Sequence, residues 1–149
     1  MRTIEINPDA VLAAAAAIPK DQPVIMINLL RFREWADYGQ RSDIRPCSGR
    51  EAYYERYAPV ASPLVEAGGA KVFWLGKVLA GVIGPLDERW DDVLLVQYPA
   101  FSVLQKLFAN PKYQAVVFHR TAALEDSRLI ASATNTDIGG FDVLAASAR

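Results

Sequence analysis

Residues 26–35 read MINLLRFREW. With Val24 and Ile25 before it, the run is apolar and β-branched at its start, bounded by Pro23 and by charge, and it predicts a strand over 24–32. Ile25, Ile27 and Leu29 alternate with Met26 and Leu30, so both faces carry aliphatic groups. An amide, Asn28, interrupts the run, and Arg31 and Arg33 stand at its end. A buried amide without partners costs on the order of 1–3 kcal/mol, so something must bond it.

Outward from this strand the chain reads as one domain. At 149 residues it can bury a substantial core, and 52% apolar with 22% charged residues is an ordinary globular balance. Sixteen basic against seventeen acidic residues leave a formal charge of −1. That near-neutrality argues against nucleic acid, which needs a clustered basic surface. No run approaches the roughly 20 apolar residues of a membrane span. Cys47 is the only cysteine, so no intrachain disulfide forms, and a cytoplasmic location is expected. Ala10–Ile18 is too short, and too acidic before it, for a signal peptide. Asn7-Pro8 instead predicts a helix start that Pro19 ends.

Residues 33–47 form a long polar loop. Ser48-Gly49-Arg50-Glu51 has capping-box spacing, and the helix after it places Tyr53, Tyr57, Val60, Ala61 and Leu64 on one face. Pro59 and Pro63 predict a kink or two short helices, and Gly68-Gly69 a stop. Lys71–Val78 alternates, with Val72, Trp74, Gly76 and Val78 sharing one face. Asp91–Tyr98 is the next strand, and Phe101, Leu104, Leu107 and Phe108 mark a short helix. Asn110-Pro111 restarts the chain. Tyr113, Val116, Val117, Arg120 and Leu124 then share a stripe, and Arg128–Ala133 is a last strand.

The order is a helical extension (1–22), a βαββαβ core (23–134) and a tail (135–149). This is an α+β, ferredoxin-like arrangement, an antiparallel sheet with helices on one face. Its uncovered face is too apolar to leave wet, which predicts a homodimer of face-to-face sheets.

In this order, MINLLRFR, EAYYERYAPVASPLVEAGGAKVFWLG, WDDVLLVQYP and NPKYQAVVFHRTAALEDSRLI resemble domain-of-unknown-function family 1330, within the dimeric α+β barrel superfamily. The resemblance spans roughly residues 24–131. It implies a ferredoxin-like protomer that pairs into a dimeric barrel, and no particular reaction. The superfamily also holds monooxygenases and isomerases that use no cofactor, an analogy of fold alone.

The candidate ligand-binding residues are Asn28, Arg31, Tyr57, Trp74, Tyr98 and Arg120. Asn28 either meets a ligand at the mouth between sheet and helices, or satisfies a strand end, a loop carbonyl or a partner subunit. Arg120 lies on an inward stripe and needs an anion, either a ligand's or that of an acid such as Glu125 or Asp126. Tyr57, Trp74 and Tyr98 are pocket walls or core packing. His119, the only histidine, is the weak catalytic candidate, about 100° round the helix from Arg120. The acidic group Asp87, Glu88, Asp91 and Asp92 reads as a solvated turn. One Cys and one His do not make a zinc site, no nucleophile elbow or phosphate-binding glycine loop is present, and no cofactor or metal is expected. Three functions follow: a dimer binding a small organic molecule, such as an anion, a cofactor-independent monooxygenase or isomerase, or a purely structural dimer module.

Overall fold

The computed structural model describes residues 1–137. The part of the tail expected after 137 lies outside the described residues. The elements are α1 (Pro8–Ala17), β1 (Val24–Phe32), α2 (Gly49–Glu51), a π-helical segment (Ala52–Tyr57), α3 (Ala58–Ala67), β2 (Lys71–Lys77), β3 (Asp92–Tyr98), α4 (Phe101–Ala109), α5 (Pro111–Gln114), α6 (Val117–Ala123) and β4 (Leu124–Ser132). The four strands form one antiparallel sheet in the order β2-β3-β1-β4, the ferredoxin-like topology. No helix among the described residues is long and apolar enough to cross a membrane.

β1 sits at the centre of the sheet, and its alternation sorts the two layers. Val24, Met26, Asn28 and Leu30 are buried against the helices, while Ile25, Ile27, Leu29 and Arg31 turn to the uncovered face and are only half-buried. Register carries the same division to β3, where Tyr98, Val96, Leu94 and Asp92 stand opposite the four helix-facing residues.

Helix starts follow their caps. Asn7 Oδ1 accepts the amides of Asp9 and Ala10, Ser48 Oγ accepts that of Glu51, and Asn110 Oδ1 that of Lys112. Gly69 takes a φ of 86° to leave α3. The loop 33–47 is tied down, Arg33 donating to the Ala123 carbonyl, Asp37 to that of Ala122 and Gly49 to that of Arg33. At that crossing a Cβ on Gly49 would lie 2.3 Å from the Arg33 carbonyl oxygen and 2.5 Å from that of Ala123. Only glycine fits there.

Three expectations need correction. Of the kink or two short helices expected at the prolines, the split is absent and the irregularity is a π turn within one continuous run. Pro59 has no N–H for the Glu55 carbonyl, and just before it the helix widens by one residue, with the Ala58 amide reaching back to the Tyr53 carbonyl. The strict alternation of β2 fails, because a bulge at Phe73 separates Val72, opposite Val96, from Trp74, opposite Leu95. Val72 and Leu75 therefore face the helices, and Trp74 and Gly76 the uncovered side. The expected last helix is two short ones, α5 and α6, and β4 begins at Leu124 rather than Arg128.

Candidate functional site

A cavity of about 310 Å³ lies between the sheet and the helices. Asn28 of β1, Tyr98 of β3 and Leu129 of β4 line its sheet side, and Tyr53 and Tyr57 from the π segment, Tyr113 of α5 and Arg120 of α6 line its helix side. The π turn matters to this arrangement, because a widened turn carries three tyrosines, 53, 54 and 57, onto one wall.

The walls are apolar surfaces with a few polar tips. The rings of Tyr53 and Tyr57 are 5.0 Å apart, and those of Tyr57 and Tyr113 6.0 Å apart and near perpendicular. The hydroxyls of Tyr57 and Tyr113 are 2.8 Å apart. Asn28 Nδ2 donates to the Leu94 carbonyl at 3.2 Å, across the strand pair.

Arg120 is the unusual member. It is 7% exposed, and its Nη1 donates 2.8 Å to the backbone carbonyl of Ile4. Among the described residues no carboxylate lies within ion-pair distance of it. Both acids weighed for it are engaged elsewhere. Glu125 lies against Arg2 and Arg31, and Asp126 pairs with Arg128 at 2.6 Å.

The guanidinium and the phenols influence one another. Burial pushes the Tyr53 hydroxyl up to about 12, against the opposing charge of Arg120. Burial likewise raises Tyr57, Tyr98 and Tyr113 above the ordinary phenol value, again with Arg120 opposing at Tyr57 and Tyr113. All four hydroxyls therefore hold their protons at neutral pH and can act as hydrogen-bond donors. A cation, an amide and neutral phenols in an apolar chamber can hold an organic anion.

Arg31, Trp74 and His119 lie outside this cavity. Arg31 turns to the uncovered face, with Nε 3.1 Å from Glu125 Oε2. Trp74, sent there by the bulge, lies over Gly76 and is half exposed. His119 Nδ1 is 2.6 Å from the hydroxyl of Tyr38, which also accepts from Arg56 at 3.3 Å. Burial, then the charges of Arg56 and Arg41, lower the His119 pKa. In the acidic turn Asp87 and Glu88 are exposed as expected, but Asp91 and Asp92 need correction. Asp91 Oδ2 accepts the Phe32 amide, and buried Asp92 holds Arg50 through two bonds and Tyr54 through a third. Among the described residues no group of three His, Cys, Asp or Glu side chains could hold a metal ion.

Tyr53, Tyr113 and Ile6 were not among the residues singled out for the site. Tyr53 and Tyr57 are four apart on a helix, and Tyr113 shares the Arg120 stripe, a signal that was present. Ile6 had none, because the N-terminal segment reaches the cavity only through tertiary contacts.

Among solved structures, the chain is similar to that of the methylated RPA0582 protein, with 36% identity, 91% of this chain and 97% of that one covered, and a TM-score of 0.80. The chain belongs to the RPA0582 family. A second structure of RPA0582, a protein of unknown function from Rhodopseudomonas palustris, aligns at 36% identity over 89% of this chain and 96% of that one, with a TM-score of 0.76. A dimeric protein of unknown function and ferredoxin-like fold from Bacteroides fragilis NCTC 9343 shares 16% identity over 77% of this chain and 99% of that one. Its TM-score is 0.33. No protein-family model and no curated protein matches, so the resemblance to family 1330 gains no support there. RPA0582 membership brings a fold and no activity.

Proposed function

We propose that the protein is a homodimer that binds a small organic anion in the cavity between its sheet and helices. The observation that carries this is Arg120, buried beside Asn28 and the tyrosine hydroxyls and, among the described residues, without a carboxylate. A buried charge that the chain does not neutralise is strongly unfavourable unless something else does. A carboxylate or a phenolate meets that need, with the neutral phenols donating to its oxygens. Among the described residues the only carboxylate lining this cavity is Glu66, exposed on its wall, and His119 is elsewhere, which favours binding over proton transfer. Thermal unfolding of wild type and Arg120→Ala against a panel of small carboxylates and phenols is the test. An acid that raises the midpoint of wild type and not of the variant supports the site. If no compound shifts wild type and the variant alone is badly destabilised, Arg120 is structural.

The dimer rests on the uncovered face. Ile25, Ile27 and Leu29 lie there with Leu95, and Trp74 and Ile130 are half exposed beside them. The β2–β3 connection adds Leu79, Val82, Ile83 and Leu86, all almost wholly exposed. Such a surface on one protomer matches itself across a two-fold axis. Ile27→Asp is expected to halve the mass measured by light scattering. An unchanged mass, or a monomeric wild type, counts against this face.

A further inference from the structure

Arg120 does not stand at the end of the tyrosine cavity but at a junction. A second cavity, also of about 310 Å³, lies beneath α1. Ile6, Met26, Leu104, Phe108, Arg120 and Leu129 line both spaces. The charge therefore borders both apolar chambers, and a third hollow of about 780 Å³ on the far side of Val11 and Phe108 reaches it too, so a ligand whose anion meets Arg120 has room beyond the tyrosine cavity.

The chambers differ in chemistry. The first is walled by aromatic rings with donor hydroxyls. The second is walled by Ala10, Val11 and Ala14 of α1, by Phe101 and by Ala131. Most of its polar groups are already engaged. Thr3 Oγ1 donates to the Ser127 carbonyl and Ser127 Oγ to that of Thr3, while Arg128 is held by Asp126. Glu5 lines the same wall and makes no ion pair with Arg120. Apart from the exposed Glu5 carboxylate, which repels a second anion, little there is free to recognise a polar substituent. The roof is unusual too, since α1 (PDAVLAAAAA) is almost wholly apolar and none of its residues is buried. An apolar helix resting on a hollow gains contacts when a hydrocarbon fills it.

We infer that the chamber beneath α1 is a second subsite for an alkyl arm of the ligand, which is a branched organic acid with its carboxylate between two apolar groups. The carboxylate meets Arg120, a flat ring lies among the tyrosines, and the alkyl arm runs under α1. This rests on the anion reading of Arg120.

Isothermal titration of phenylacetate and 2-phenylhexanoate separates the two ideas. Both acids carry the same ring and carboxylate, and only the second has a butyl arm. Wild type is expected to bind 2-phenylhexanoate about tenfold tighter or more, from the methylenes buried. Ala14→Phe, which fills the chamber from the roof, is expected to bring the ratio close to one, and Val11→Phe serves if that variant does not fold. Equal affinities in wild type, or a ratio that both fillers leave intact, overturn the subsite while Arg120-dependent phenylacetate binding preserves the anion site. If neither acid binds, or both bind Arg120→Met as well as wild type, the anion reading fails and the subsite with it.

Discussion

Arg50 and Arg120 show the same side chain used in two ways. Arg50 keeps about half of its side chain in water, yet Asp92 grips it through two bonds, at 2.9 and 3.2 Å, and its guanidinium lies 4.8 Å from the Phe32 ring centre. Arg120 has lost nearly all its water and receives one backbone carbonyl. A cation is more costly where Arg120 lies than where Arg50 lies, so the partners of these two are distributed against simple stability. The difference teaches that the Arg50–Asp92–Tyr54 cluster fastens the start of β3 to the π segment, while Arg120 is fastened only to the backbone of the N-terminal segment, at Ile4.

The comparison is best broken at Asp92. Asp92→Ala leaves Arg50 and the Tyr54 hydroxyl without their acceptor and is expected to cost about 2–3 kcal/mol in urea unfolding, below the loss for a fully buried pair because Arg50 is half solvated. A change under about 0.5 kcal/mol would mean that the cluster does not fasten anything. Arg120→Met is expected to change stability without ligand by less than about 1 kcal/mol in either direction, since a lost carbonyl bond is offset by relief of a buried charge. A loss as large as that of Asp92→Ala would make the two arginines alike. Asn28→Asp sharpens the contrast from the other side. It places a carboxylate in the Arg120 cavity and is expected to reduce the midpoint shift given by an anionic ligand at least twofold, read by thermal unfolding.

The smallest effect concerns His119. Its pKa is lowered in the folded protein, so between about 6.5 and that lower value the unfolded chain binds more protons. The neutral ring therefore contributes stability that is fully present above about pH 6.5 and lost as pH falls through the folded pKa. Wild type is expected to lose more of its midpoint between pH 7.5 and 5 than His119→Gln does. Equal losses would remove His119 from the acid response, as would a larger loss in the variant.

Legibility in the sequence followed the range of the interaction. The bounds of β1 were readable because apolar alternation and the flanking Pro23 are local, and the three Asn and Ser caps for the same reason. The inward stripe of Tyr113 and Arg120 was readable from helical spacing, although the chain breaks at Val116. The direction of Trp74 was not, because one extra residue at Phe73 is a matter of pairing with β3. The four-residue error at the start of β4 has a similar origin, since Leu124 lies opposite Phe32 across a register shift that only β1 imposes.

The order of the elements, the ferredoxin-like class and the inward bias of Asn28, Tyr57, Tyr98 and Arg120 were in the sequence itself, because hydrophobic periodicity and capping act over a few residues. Which acid each arginine meets was settled by the tertiary structure alone. Glu125 and Asp126 follow Arg120 closely in the chain, yet β4 carries them to Arg2, Arg31 and Arg128. Electrostatic partners are chosen by distance in space, and among the described residues that choice leaves Arg120 without a carboxylate.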